Sequence, residues 1–365
     1  MAAFVVSNRP LKKAGTKFIE SGRTAALASF RVATLDCDAK TYAMTPDWDG
    51  LDFERAAKPR VRAASLRGSE RIVHEVAKPA WASEAPSDLV LLVHGFDYDL
   101  SESIDQLHRV TRPELYGPGG DPKGRRPQHL VYFSWPSGTS IRPKDYRIAK
   151  RRVERSGEAF ARLVRHLLQG LADVEDRRGP PKRRPRIRVV AHSMGNQVLA
   201  AALDHLHDLS ARTLDDVLLL NADVSYKALE KGGSLRPLGK LARRVHVYYH
   251  RSDDVLRLSS RMNRNIAGEK PRRDRWRRRT WKDDHERLGR HGPKSMLLAP
   301  RNVRALDTTN AKGERGSREL RQELRMDHWG YLHRPAIIED VAKVLSGRTP
   351  RRRKTRKDRT FLVEG

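Results

Sequence analysis

Six short strand-like runs, the first of them apolar throughout and each ending in a polar or glycine-containing junction, limit the folds open to this chain. They read LVLLVHG (89–95), HLVYFSWP (129–136), RIRVVA (186–191), DVLLLNAD (216–223), RVHVYYH (244–250) and RNVRALDT (301–308). A run that is apolar throughout, without the alternation of a half-exposed strand, is the pattern of a strand buried on both faces. Helical patterns separate the runs, over 101–112, 144–172, 195–208, 254–262 and 335–345. Ser101 stands as an N-cap before the first of these, with acids in the turn that follows. Strands alternating with helices predict an α/β chain with a doubly wound, mostly parallel sheet. The ligand site of such a sheet lies at the carboxyl ends of its strands.

Domain organisation follows from the same pattern. Residues 87–346 form the α/β core, with a basic insertion at 263–300. Residues 1–86 read as one or two edge strands (AFVVSNR and SFRVAT) followed by an irregular cover. Residues 347–365 read as a basic, disordered tail, because the segment offers few apolar side chains for packing.

The junction after the third run carries the chemistry. There the strand stops at Ala191-His192-Ser193-Met194-Gly195 and a helix-forming stretch begins at once. A serine on a sharp strand-to-helix turn holds its hydroxyl clear of the sheet. The positions two before and two after it must be small, and Ala191 and Gly195 fill them. The pentapeptide alone is weak, since a chain this long shows [GA]-x-S-x-G by chance about 0.2 times. The other strand ends decide the matter.

A serine nucleophile needs a base, a carboxylate to orient the base, and donors for the oxyanion. The run RVHVYYH leads into Arg251-Ser252-Asp253-Asp254. Asp253 is the first choice for the acid, Asp254 a close second and Asp223 a third; one of the adjacent pair is also expected to cap the next helix. His328, in RMDHWGYLH, is the candidate base, with His333 as fallback. Its bland alternative is a loop histidine packed on Trp329. Met194, at the start of a helix, supplies one oxyanion N–H. The second comes from the loop at His94-Gly95-Phe96, where glycine lets the chain turn and Phe96 can aim its N–H inward.

VHGF (93–96), FSWPSG (133–138), AHSMGN (191–196), SDD (252–254) and DHWGY (327–331) together resemble the α/β-hydrolase superfamily. More narrowly, the chain is similar to a bacterial family of uncharacterised esterase/lipase-like serine hydrolases, over roughly residues 87–345. The resemblance implies Ser193 as nucleophile, Asp253 as acid, His328 as base, and Phe96 and Met194 as oxyanion donors. His94, Gly95, Ala191, His192 and Gly195 support the elbow and its facing loop. The implied reaction is hydrolysis of a small acyl ester through an acyl-enzyme, with no cofactor and no metal.

Charge adds a second expectation. Lysine and arginine number 74 against 45 acids, for a net charge of +29. The excess concentrates in KPRRDRWRRRTWK (270–282) and RTPRRRKTRKDR (348–359), which could contact a polyanion or an anionic membrane surface. No helix-turn-helix or RNP pattern accompanies them. A catalytically vestigial hydrolase fold that binds nucleic acid or anionic lipid through these blocks is therefore the alternative reading. A single cysteine, Cys37, excludes an internal disulfide and fits a reducing, cytoplasmic setting. The N-terminus lacks the order of charges of a signal peptide, and no apolar run approaches the roughly 20 residues of a membrane span.

Overall fold

The computed structural model describes residues 3–14, 17–20, 30–36, 41–46, 66, 68–82, 88–110, 128–138, 142–266, 285–311 and 327–363. In chain order the strands begin with β1 (Ala3–Ser7), a separate hairpin of β2 (Leu11–Ala14) and β3 (Lys17–Glu20), then β4 (Arg31–Asp36) and β5 (Thr41–Pro46). The six runs become β6 (Asp88–Val93), β7 (Gln128–Ser134), β8 (Ile187–His192), β9 (Leu214–Leu220), β10 (Ala242–Tyr249) and β11 (Val303–Asp307). Two short strands follow, β12 (Arg353–Lys354) and β13 (Thr360–Leu362). All but the hairpin join one 11-stranded sheet, in the order β12-β13-β11-β10-β9-β8-β6-β7-β1-β4-β5. Every pairing from β13 to β1 is parallel. The outer pairings, β12 with β13, β1 with β4 and β4 with β5, are antiparallel.

The helices are α1 (Ser69–Ala82), α2 (Leu100–Val110), α3 (Pro143–Arg178), α4 (Gly195–Leu203), α5 (Leu238–Leu241), α6 (Asp254–Ile266), α7 (Leu288–His291), α8 (Gly330–His333) and α9 (Pro335–Leu345). The two-residue period of a strand divides the core into two layers. Leu89, Leu91 and Val93 of β6 face the layer built from α1, α3 and α4, with Ile72, Phe160 and Val198. Val90 and Leu92 face the opposite layer with Ile337, Val341 and Val344 of α9. Both faces of β6 are thus buried, which is why its sequence shows no polar alternation.

A buried ionic cluster ties the middle of the sheet together. Arg188 of β8 reaches Asp88 of β6 at 2.7 Å and Asp216 of β9 at 3.4 Å. Asp216 also takes Arg244 at 2.7 Å and His246 at 3.0 Å from β10. These partners hold the Asp216 carboxyl well below the usual carboxylate range, against the opposing effect of burial.

Two expectations need correction. The N-terminal segment does not supply edge strands alone: β1 is inserted between β7 and β4, and its five residues are buried. The cover region also holds α1, whose Trp81 Nε1 donates to Gly179 O at 2.8 Å. Residues 348–363 are not a disordered tail. β13 pairs with β11, Thr360 and Val363 are buried, and Arg352 is folded onto Asp340 at 2.6 Å. A dense run of cations conceals these few packing residues, because the partner that neutralises Arg352 lies in α9, remote from the run itself. The basic block 270–282 and Cys37 lie outside the described residues. Among the described residues, no helix is long and apolar enough to cross a membrane.

Candidate active site

The carboxyl ends of β6, β8, β9 and β10 meet at Ser193. Its φ is +50°, a left-handed conformation in a residue that has a Cβ, which costs about 1–3 kcal/mol unless the surroundings hold it. Main-chain bonds do so here. Ser193 N donates to Leu220 O at 3.0 Å, and Ser193 O accepts from Asn196 N at 3.1 Å and from Asp223 N at 3.0 Å. Asn196 Nδ2 adds a bond to Ser193 O and another to Ala191 O, both 3.0 Å. Space explains the glycine at 195, because a Cβ there would sit 2.5 Å from His94 O and 2.6 Å from Val93 O. At Gly95 a Cβ would lie 2.9 Å from the Ser193 Cβ. The elbow and the 94–96 loop therefore touch, and each needs its glycine.

His328 and Asp253 come together as expected. The His328 Nδ1–H donates to Asp253 Oδ2 at 2.7 Å, and both residues are buried. The other carboxylate oxygen, Oδ1, accepts Leu256 N at 2.8 Å and so caps α6. Asp254 is exposed and stands 3.8 Å from Arg257. His333 lies at the end of α8. Asp223 is turned to a separate cluster: Tyr146 OH donates to it at 2.8 Å, Arg287 approaches at 3.2 Å, and Ser259 donates to its other oxygen. Beside that cluster opens a pocket of about 570 Å³, with Lys150, Gln197, Lys227 and Arg287 among its walls and Ser193 not among them.

His192 links the elbow to the histidine loop. Its Nε2–H donates to His328 O at 2.9 Å, and the two rings lie 4.7 Å apart. Burial, and then the neighbouring His328, hold His192 well below the ordinary histidine range, so it is neutral. His328 also packs edge-on against Trp329 at 5.2 Å. The packing contact and the carboxylate contact coexist. Trp329 Nε1 in turn donates to Tyr98 OH at 3.2 Å, which ties this loop to the one after β6. Among the described residues neither the Ser193 hydroxyl nor His328 Nε2 has a hydrogen-bond partner. Such contacts commonly close only with substrate bound.

The oxyanion candidates meet one requirement. Neither the Phe96 N–H nor the Met194 N–H has a partner among the described residues. The loop bearing Phe96 is fixed from below. His94 Nδ1–H donates to Gly95 O at 2.8 Å, while its Nε2 accepts Trp135 N at 3.0 Å. The Trp135 indole N–H donates to His94 O at 2.8 Å. Burial, assisted by the Arg9 charge, lowers the His94 pKa and keeps the ring neutral, as this bonding requires. Phe96 itself packs edge-on against Tyr146 at 5.5 Å.

Three supports escaped the sequence reading. Asn221, at φ +43° after β9, donates from Nδ2 to Asp253 Oδ2 at 2.8 Å. Asn196 holds the elbow main chain. Arg9, buried beyond β1, donates to Ser134 Oγ at 2.9 Å and Tyr98 O at 2.6 Å, anchoring the loop after β6. Single amides carry no spacing signal; Arg9 sat in the SNR segment next to an apolar run, and burial of so large a cation was its only clue.

Among comparisons with known proteins, a family model described as "Alpha/beta hydrolase of unknown function (DUF900)" matches residues 74–279, more than half of the chain. The match includes Phe96, Ser193, Met194 and Asp253 and ends before His328. No curated protein and no solved structure matches the chain.

Proposed function

The chain belongs to this family of α/β hydrolases of unknown function, and on that premise we propose that it is a serine hydrolase cleaving a carboxylic ester. The observation that carries the reading is the His328–Asp253 pair, at 2.7 Å, tied through His328 O to His192, the residue before a serine held at φ +50°. Ser193 Oγ attacks the acyl carbon while His328 Nε2 takes its proton. Asp253 holds the imidazole in the tautomer that leaves Nε2 free to accept, and stabilises the imidazolium that forms. The oxyanion of the tetrahedral intermediate takes the Phe96 and Met194 N–H groups. His328 then returns the proton to the departing alkoxide, leaving an acyl-enzyme. Water, deprotonated by His328, attacks that ester and frees the acid and Ser193.

Two features support this assignment of parts. The candidate donors have no competing acceptor among the described residues, and the histidine loop is braced by His192 and Trp329 rather than left loose. The single cysteine accords with a cytoplasmic site of action. A series of p-nitrophenyl esters of graded acyl length tests the reading. Wild type should turn over at least the shorter members, and Ser193→Ala should lose about 10³-fold or more in kcat with unchanged thermal unfolding. A wild type inert on the whole series, or a Ser193→Ala variant that keeps its activity, would favour the vestigial, binding-only fold.

A further inference from the structure

We propose that the amino-end edge of the sheet docks on an anionic phospholipid bilayer, with Leu297 and Leu298 entering the interface and the cationic turn 354–359 holding the headgroups. Leu297 is 85% exposed and Leu298 58%, the two highest values among the exposed large apolar side chains of the described residues. The loop that carries them is built, not loose. Arg359 of the turn donates to Pro300 O at 2.5 Å and also to Met296 O, and Arg236 donates to Leu298 O at 2.9 Å. The cations therefore hold the loop by its main chain while both leucine side chains point to solvent.

Lys354, Arg356 and Lys357 are exposed on the same turn, and Lys294 and Arg301 flank the loop. The turn's acid, Asp358, is engaged by Arg359 at 2.9 Å. An apolar wedge ringed by cations fits the boundary between acyl chains and anionic headgroups. A nucleic acid would satisfy the cations but leave both leucines in water, so the bilayer is the better fit. The orientation follows from strand direction. The loop precedes β11 and the turn precedes β13, at the amino ends of parallel strands, whereas Ser193, Asp253 and His328 stand at carboxyl ends. A docked molecule thus turns its candidate active site away from the lipid.

The test uses the full chain with vesicles of phosphatidylglycerol and phosphatidylcholine, and with phosphatidylcholine alone. A Leu297→Trp reporter should shift its emission to the blue, and be quenched by brominated lipid, on the anionic vesicles only. Leu297→Gln combined with Leu298→Gln, which removes the apolar side chains without adding charge, should weaken vesicle binding about tenfold or more and leave heparin binding and soluble-ester turnover unchanged. No blue shift, or vesicle binding equal to wild type in the double variant, overturns the proposal. A parallel loss of heparin binding in the double variant overturns it too, by marking the loop as a general polyanion site.

Discussion

The two oxygens of Asp253 face different partners, Oδ2 the His328 imidazole and Oδ1 the Leu256 N–H that opens α6. Asp253→Asn must forfeit one of them whichever way the amide turns, and it loses the charge that stabilises an imidazolium. We expect kcat to fall by about 10²–10⁴, with a stability loss of about 1 kcal/mol or less from the cap. Asp254→Asn should change kcat by less than about threefold, because among the described residues its exposed carboxylate meets only Arg257, at 3.8 Å. Steady-state kinetics of the two variants beside urea unfolding checks both expectations; a reversed order would move the acid by one residue. At this scale the candidate serine and acid were legible because each follows a strand, and the candidate histidine because its loop carries aromatic neighbours and a glycine. Asn221 and Asn196 were not, since an amide that braces a neighbour leaves no periodic trace.

Among elements, the strands of the six runs were readable to within three residues at either end. The β12–β13 end of the sheet was not. β12 and β13 span two and three residues, too short for any period to register, and β13 takes its place by pairing with β11, far back in the sequence. Arg352 meets Asp340 at 2.6 Å, and Tyr248 OH donates to the same carboxylate at 2.6 Å. Arg352→Ala leaves that carboxylate buried with its cation gone, at a cost of about 3–5 kcal/mol. Truncation after Gly347 should destabilise the protein at least as much, since it also uncovers the edge of β11. Chemical denaturation measures both; a truncated chain as stable as wild type would return the segment to the status of a dispensable tail.

For the whole molecule, burial of neutral histidines makes the fold sensitive to acid. His129 of β7 is 5% exposed, and neither ring nitrogen has a hydrogen-bond partner among the described residues. Burial lowers its pKa from 6.5 to about 4. The folded protein therefore stays neutral there while the unfolded chain binds a proton, so stability is lost as pH falls from about 6.5 to about 4. The loss is about 3 kcal/mol at full extent, and His94 and His192, shifted the same way, add to it. In His129→Leu the slope of unfolding free energy between pH 6.5 and 4.5 should flatten by up to about 1.4 kcal/mol per pH unit; an unchanged slope would contradict the assignment. The architecture itself followed from strand–helix alternation, and the family match bears out the α/β-hydrolase fold. The substrate did not follow, because the loops that shape a pocket carry no period and no motif. The central claim, that Ser193 is a nucleophile activated by His328, is tested most directly by a fluorophosphonate probe with peptide mapping of the adduct. The account predicts one adduct, on Ser193, abolished in Ser193→Ala and strongly slowed in His328→Ala. No adduct on the folded wild type, or an adduct on another residue that survives Ser193→Ala, would contradict it.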